Sequence, residues 1–163
     1  MSKLRLSGII NESIVDGPGL RFVIFSQGCP HHCDGCHNPQ TFDPNGGYEE
    51  DIDEILKKIK SNPLLQGVTF SGGEPFMQAK VFSELAEKIH AMNLNVMSYT
   101  GYLFEDLLKK TDFKKLLQNV DILVDGPFIK EKKNLMLKFK GSENQRIIDV
   151  QKSLNFNKII EIE

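Results

Sequence analysis

Three cysteines, Cys29, Cys33 and Cys36, stand within eight residues of a 163-residue chain that has no others. An odd number, clustered so tightly, is not a disulfide framework. Thiolates are soft ligands suited to iron–sulfur clusters and zinc, and the spacing C-x3-C-x2-C reads as a ligand loop. A cubane cluster of four irons normally takes four cysteines. With three, one iron must find its ligand outside the chain or in a non-cysteine residue. An open coordination position marks a catalytic metal site, by analogy with catalytic zinc. The rival is structural zinc held by three cysteines and one histidine, with His31, His32 and His37 all nearby. Spacing alone leaves both open.

A second motif, Ser71-Gly72-Gly73-Glu74-Pro75, ends a run of strand-forming residues. Two glycines let a ligand approach the backbone closely, and Glu74 offers a carboxylate to a cation. Alone this is a common turn before a helix. Beside the cysteine triplet it gains meaning: one iron lacks a ligand, and a glycine edge can hold an amino acid whose amine and carboxylate would fill that place.

The elements that must position these residues follow from periodicity. Residues 20–25 and 68–71, together with 95–99 and 121–125, read as strands, and 146–150 and 158–162 as short ones. Helical spacing of apolar residues predicts helices over 49–61, 79–92 and 103–117, the last broken near Thr111-Asp112. Acids open the first helix and lysines close it, which suits the helix dipole. Alternation of strand and helix predicts a parallel sheet with helices packed outside it. A complete eight-fold barrel takes about 250 residues, so five to six mostly parallel strands make an α/β domain built as an incomplete, open (β/α) barrel. The loops at 29–36, 72–75, 100–101 and 126–127 all follow strands. They should gather at the C-terminal edge of the sheet, where α/β proteins bind ligands.

Composition bounds the rest. Forty per cent hydrophobic and 26% charged residues describe a globular chain, expected as one domain over residues 1–163. Twenty basic residues against 22 acidic ones give −2, which excludes a nucleic-acid reader that relies on overall positive charge. No apolar run approaches the roughly 20 residues of a membrane helix. Residues 1–8 alternate polar and apolar side chains and lack the continuous apolar core of a signal peptide, so the expected location is the cytoplasm, with no membrane partner.

On these motifs the chain resembles the radical S-adenosylmethionine (SAM) superfamily: Cys29-x3-Cys33-x2-Cys36 matches its cluster motif and Gly72-Gly73-Glu74 its methionine-binding motif. More narrowly it is similar to the activating proteins of glycyl radical enzymes, in which Asp16-Gly17-Pro18-Gly19 with Arg21 precedes the cysteines. Within them it looks most like the branch that activates the anaerobic ribonucleoside-triphosphate reductase, through Gly35-Cys36-His37-Asn38 and residues 141–146, Gly-Ser-Glu-Asn-Gln-Arg. The resemblance covers residues 8–150. The wider superfamily has an aromatic residue before the third cysteine; Gly35 stands there here, as is common in that branch.

The resemblance implies an open radical-SAM-type barrel and a 4Fe-4S cluster on Cys29, Cys33 and Cys36, its fourth iron chelated by SAM. Gly35, Cys36 and His37 would flank the adenine, and Gly72, Gly73 and Glu74 would receive the methionine amino group. Asp125 is a further candidate contact to SAM or a cation, or else a turn-forming aspartate before Gly126-Pro127. Ser98, Thr100 and Arg146 are weaker candidates. The implied chemistry is one-electron cleavage of SAM to methionine and a 5′-deoxyadenosyl radical, which takes hydrogen from a glycine Cα of a partner protein. The implied partners are a glycyl radical enzyme and a low-potential electron donor such as flavodoxin or ferredoxin. Activation of another glycyl radical enzyme, such as pyruvate formate-lyase, is the alternative. A ferredoxin-type carrier requires four cysteines, and a zinc-stabilised binding domain gives Gly72-Gly73-Glu74 no role.

Overall fold

A computed structural model describes residues 2–31, 35 and 39–162. Its elements in chain order are β1 (Lys3–Ser13), β2 (Arg21–Ser26), β3 (Tyr48–Asp51), α1 (Ile52–Lys60), β4 (Gly67–Gly72), α2 (Ala79–His90), β5 (Asn95–Tyr99), α3 (Phe104–Leu107), α4 (Thr111–Gln118), β6 (Ile122–Asp125), β7 (Arg146–Asp149) and α5 (Val150–Phe156). They form one seven-stranded sheet in the order β3-β1-β2-β4-β5-β6-β7. The two end strands do not pair with each other, so the sheet is open.

The middle of the sheet is as expected: β2, β4, β5 and β6 run parallel, joined by helical crossovers. The edges are not. β1 lies antiparallel between β2 and β3, and β7 lies antiparallel on β6, so the described sheet is mixed and has seven strands rather than five or six. The helix expected from residue 49 begins at Ile52. Glu49, Glu50 and Asp51 lie instead on β3, opposite Arg5, Leu4 and Lys3. Acids that suited a helix start suit a basic neighbouring strand equally well, and Arg5 Nη1 reaches Glu49 Oε1 at 3.6 Å. Asp51 still serves the helix, because its side chain accepts from the Asp53 N–H and caps α1. The second short strand, over 158–162, is reduced to an isolated bridge between Ile148 and Glu161. Between them lies α5, capped by Asp149 accepting from Lys152 N.

Alternation along the strands gives the sheet two different faces. Phe22, Ile24, Val68, Phe70, Val96 and Leu123 point one way, into a continuous core with α1 (Ile55, Ile59), α2 (Phe82, Leu85, Ile89) and α4 (Leu116). The Phe70 and Phe82 rings meet at 4.5 Å. Their neighbours Phe25, Ser71 and Tyr99 point the other way and line a cavity of about 440 Å3. Helices therefore fill one face and leave the other for loops.

Arg21 holds the first of these loops. It is fully buried, and its guanidinium donates to Thr69 Oγ1 (2.7 Å), Pro18 O (3.0 Å) and Val68 O (3.0 Å). Thr69 in turn donates to Asp16 O at 2.8 Å. Gly17, at φ +139°, lies flat against this arrangement: a Cβ there would meet Met97 Sδ at 2.6 Å and Arg21 Cδ at 2.7 Å. The Asp16–Gly19 stretch is thus tied across the inner face. Burial pushes the Arg21 pKa down to about 10, which leaves it charged at neutral pH.

One ion pair makes stability depend on pH. His90 Nε2 lies 2.8 Å from Asp121 Oδ2, which also accepts from Val96 N. The hydrogen bond to Asp121 holds the His90 pKa above its ordinary 6.5. Burial would raise the Asp121 carboxyl, but the bonds from His90 and Val96 N–H override it and leave it below its ordinary 3.8. The histidine's contribution is complete below 6.5 and fades as pH rises through the raised value. The aspartate's is complete above 3.8 and fades as pH falls through the lowered one. Both side chains are about one-third exposed, so the effect is small. Melting temperatures at pH 6 and pH 9 should differ more in the wild type than in His90→Gln. Equal differences would refute the pairing.

Candidate functional site

The cysteine loop leaves the C-terminal end of β2, and the glycine motif leaves the end of β4 beside it. Backbone bonds join the two: Gly73 N donates to Ser26 O and Glu74 N to Gly28 O, both at 2.8 Å. The base of the cysteine loop is closed by Gly28 N on Thr41 O (2.6 Å) and Cys29 N on Phe42 O (3.2 Å). Gln27 Nε2 braces it through Gln40 O and Asp43 O.

This contact explains the paired glycines differently from the sequence. A Cβ on Gly72 would lie 2.5 Å from Ser26 N, and one on Gly73 would lie 2.4 Å from Gly28 O. Glycine is required because two backbones touch, whatever ligand the edge also receives.

Glu74 is wholly buried and its carboxylate is filled by protein. It accepts from Phe76 N (3.1 Å), Gly101 N (2.8 Å) and the Thr100 hydroxyl (2.8 and 3.0 Å), and His31 Nε2 lies at 2.6 Å. A buried carboxylate needs this many partners to offset its lost hydration. His31 is set by more than Glu74. Its ring meets Tyr102 edge-on at 4.5 Å and lies flat on Gly101, where a Cβ would come within 2.4 Å of His31 Cδ2. The cysteine loop is therefore latched, through His31, to the motif that follows β4 and the turn that follows β5. Burial, then the charges of Glu74 and Cys29, raise the Tyr102 pKa.

Cys29, His31, Gly72, Gly73 and Gly126 line one cavity of about 110 Å3. All four loops expected at the C-terminal edge contribute to it. It shares Gly72, Tyr99, Phe128 and Gln145 with the larger cavity on the inner face. Gly35, exposed and at φ +74°, lies near Lys130 and Phe128: a Cβ there would meet Lys130 Cδ at 3.3 Å and Phe128 Cε1 at 3.5 Å. Cys33, Cys36 and His37 lie outside the described residues. Asp125 is buried, with both oxygens engaged. Arg146 Nε donates to Oδ1 at 3.0 Å and its Nη2 to Oδ2 at 2.5 Å, while Phe104 N donates to Oδ2 at 2.8 Å. Arg146 also reaches Glu105 at 2.6 Å, so it braces β7 and α3 against the end of β6. Ser98 is buried on β5 and donates to Tyr99 O.

The family model of a 4Fe-4S single cluster domain matches residues 15–148. An anaerobic ribonucleoside-triphosphate reductase-activating protein from Vibrio cholerae is 33% identical over 82% of this chain and 90% of its own length. The chain belongs to this 4Fe-4S activating-protein family. A protein of the same name from Enterobacteria phage T4 is 34% identical over 82% of this chain and 86% of its own. A pyruvate formate-lyase-activating enzyme from Clostridium pasteurianum is 37% identical over 72% of this chain but only 53% of its own. The solved structure of QueE from Escherichia coli is a partial likeness, with TM-score 0.49 and 16% identity over 61% of this chain and 52% of that one.

Membership brings a 4Fe-4S cluster and SAM, and the described residues fit them. Cys29 supplies a soft donor to a cavity that Gly72 and Gly73 also line. His31, considered at first only as a zinc ligand, commits Nε2 to Glu74. Its positioning role escaped the sequence because its partners Glu74 and Gly101 lie 43 and 70 residues away.

The latch is testable. Glu74→Ala leaves the buried N–H groups of Phe76 and Gly101 without an acceptor, at about 1–3 kcal/mol each. Gly101→Ala overpacks His31 and should cost about 1–3 kcal/mol. Both variants should melt lower and retain less iron after anaerobic reconstitution. Wild-type iron content in both would show that the cysteine loop does not depend on this contact.

Proposed function

We propose that this protein reductively cleaves SAM and generates a glycyl radical on the anaerobic ribonucleoside-triphosphate reductase. The carrying observation is that Cys29, Gly72 and Gly73 border one cavity at the C-terminal edge of an open sheet, in a chain matched over residues 15–148 by a 4Fe-4S family. The reductase is favoured over pyruvate formate-lyase as target because the chain spans 90% of the reductase-activating relative but 53% of the lyase-activating one.

In this reading residues 1–163 are one radical SAM domain, and Cys29, Cys33 and Cys36 hold the cluster. When bound and reduced, the cluster supplies the single electron that splits a SAM C–S bond into methionine and a 5′-deoxyadenosyl radical. The chain's own part is to bind, orient and shield. Gly72 and Gly73 present backbone to the methionine end. Glu74 is spent on His31, Thr100 and Gly101, so it holds that edge rigid and sets the cysteine loop against it. Gly35, Cys36 and His37 border the adenine. Asp125 acts through Arg146, closing β7 over the edge. The electron comes from a low-potential donor such as flavodoxin or ferredoxin, and the reaction runs in the cytoplasm without nucleic acid or membrane. No described helix is long and apolar enough to cross a membrane.

Anaerobic protein given a strong reductant and SAM should release 5′-deoxyadenosine and methionine in equal amounts. With the reductase present, an organic radical signal should appear on the reductase. Cys29→Ala should abolish both. Zinc in place of iron in the reconstituted protein, or a radical on pyruvate formate-lyase but not on the reductase, would overturn the reading.

A further inference from the structure

A line of aromatic rings leads from the cysteine loop toward the protein surface. His31 lines the cavity that holds Cys29. Its ring meets Tyr102 edge-on at 4.5 Å, Tyr102 meets Phe113 at 5.3 Å, and Phe113 meets buried Phe76 at 5.9 Å. These are separations at which aromatic rings touch. Three distant segments supply the line: the cysteine loop, the turn after β5 and the first turn of α4. Tyr102 and Phe113 are half-buried, and they line neither the 110 Å3 cavity nor the 440 Å3 one.

The surface where the line ends joins apolar side chains to lysines. Met77, 44% exposed, precedes α2 and comes near the cysteine loop: a Cβ on Gly28 would lie 3.7 Å from its sulfur. Met77, Lys80 and Asp112 line a shallow hollow of about 340 Å3, to which the starts of α2 and α4 both contribute. Lys110 Nζ stands over the Phe113 ring, 5.0 Å from its centre. Residues 109–115 hold four lysines and one aspartate, a net of +3 in a chain whose total is −2. Lys80, Lys110, Lys114 and Lys115 are exposed, while Lys109 is bonded to Asp106 at 2.9 Å. A solvated helix face accounts for the lysines. It does not account for touching rings that join them to the cysteine loop.

We propose that this patch, Met77, Tyr102 and Phe113 with Lys80 and Lys110 beside them, is where the electron enters: the docking surface for an acidic protein that carries a low-potential one-electron centre. The inference rests on the radical-generating role proposed above and adds the place at which its reductant binds. The carrier is oxidised by one electron and the cluster is reduced by one; no bond forms or breaks and no proton moves. Electron tunnelling weakens steeply with distance and is faster through packed atoms than across gaps. Rings in contact from the surface to His31, two residues from Cys29, give a continuous packed route. The rings lie outside both cavities, so a carrier bound here does not compete with SAM for space. A carrier must also leave again, and electron-transfer encounters bury less than about 1,200 Å2. A small patch suits that need, with an adaptable methionine in it and lysines that steer an acidic partner.

The test uses the full-length, anaerobically reconstituted protein with the flavodoxin and the ferredoxin of the same organism, each purified and reduced. At least one of them should bind the wild-type protein, with an affinity that falls as salt rises. Lys80→Glu combined with Lys110→Glu should weaken that binding about tenfold and flatten its salt dependence. Met77→Asp should weaken it as well. Phe113→Leu should bind the carrier as the wild type does but slow reduction of the cluster severalfold, read as bleaching of its visible absorption. In every variant the iron content, and 5′-deoxyadenosine formation with dithionite, should match the wild type, because a small reductant needs no docking surface. Wild-type binding in both the lysine and the Met77 variants would overturn the docking surface, as would failure of both carriers to bind the wild-type protein. A wild-type reduction rate in Phe113→Leu would overturn the aromatic route. A wild-type protein that forms no 5′-deoxyadenosine even with dithionite would instead overturn the radical-generating role and this proposal with it.

Discussion

A carboxylate with no access to water sits where three segments of the chain meet, and most of the site follows from satisfying it. Glu74 takes hydrogen bonds from its own turn at Phe76, from Thr100 and Gly101 after β5, and contacts His31 in the cysteine loop. Leaving such a group short of partners costs more than any one of these bonds contributes. The segments must therefore arrive together. Gly72, Gly73 and Gly101 are where they press closest, and each is a position where a Cβ would strike a neighbour.

The sheet makes this meeting possible by dividing its labour. Parallel strands carry the loops to one edge, and their helices cover one face with a continuous core. Parallel sheets usually have both faces covered by helices. Here the second face is covered by loops anchored through buried polar contacts. Arg21 fixes the Asp16–Gly19 stretch, and the Asp125–Arg146–Glu105 set fixes β7 and the approach to it. Loops held by their bases and open at their tips leave a concave space that reaches from Cys29 to the solvent. For a reaction whose substrate is another protein, a sealed barrel would be a liability. The antiparallel strands β1, β3 and β7 finish the sheet at its two ends without closing it.

Glu74 and Asp125 are both buried carboxylates that hold loops together. Glu74 was expected to face ligand, and Asp125 either to face ligand or to form a turn before Gly126-Pro127; in the structure both accept from protein donors. Glu74 holds His31 and the turn after β5, and Asp125 holds Arg146.

The chemistry was legible in the sequence because it depends on residue type and local spacing. Three thiols in eight residues, a Gly-Gly-Glu turn after a strand, and alternating strand and helix patterns point to a thiolate metal site on an open α/β sheet. β4, β5 and α2 were found close to their observed bounds, since short-range periodicity decides them. What depended on distant partners was not legible. Residues 49–51 carry acids that fit a helix start, and only the neighbouring Lys3 and Arg5 make them a strand. β1 was read merely as alternating sequence, because its role requires β2 and β3 beside it. His31 was one histidine among three until the fold placed Glu74 and Gly101 against it. Local pattern determines which chemistry a chain can hold. Contacts between residues tens of positions apart, which no periodicity records, decide which side chains touch the ligand and which ones hold those in place.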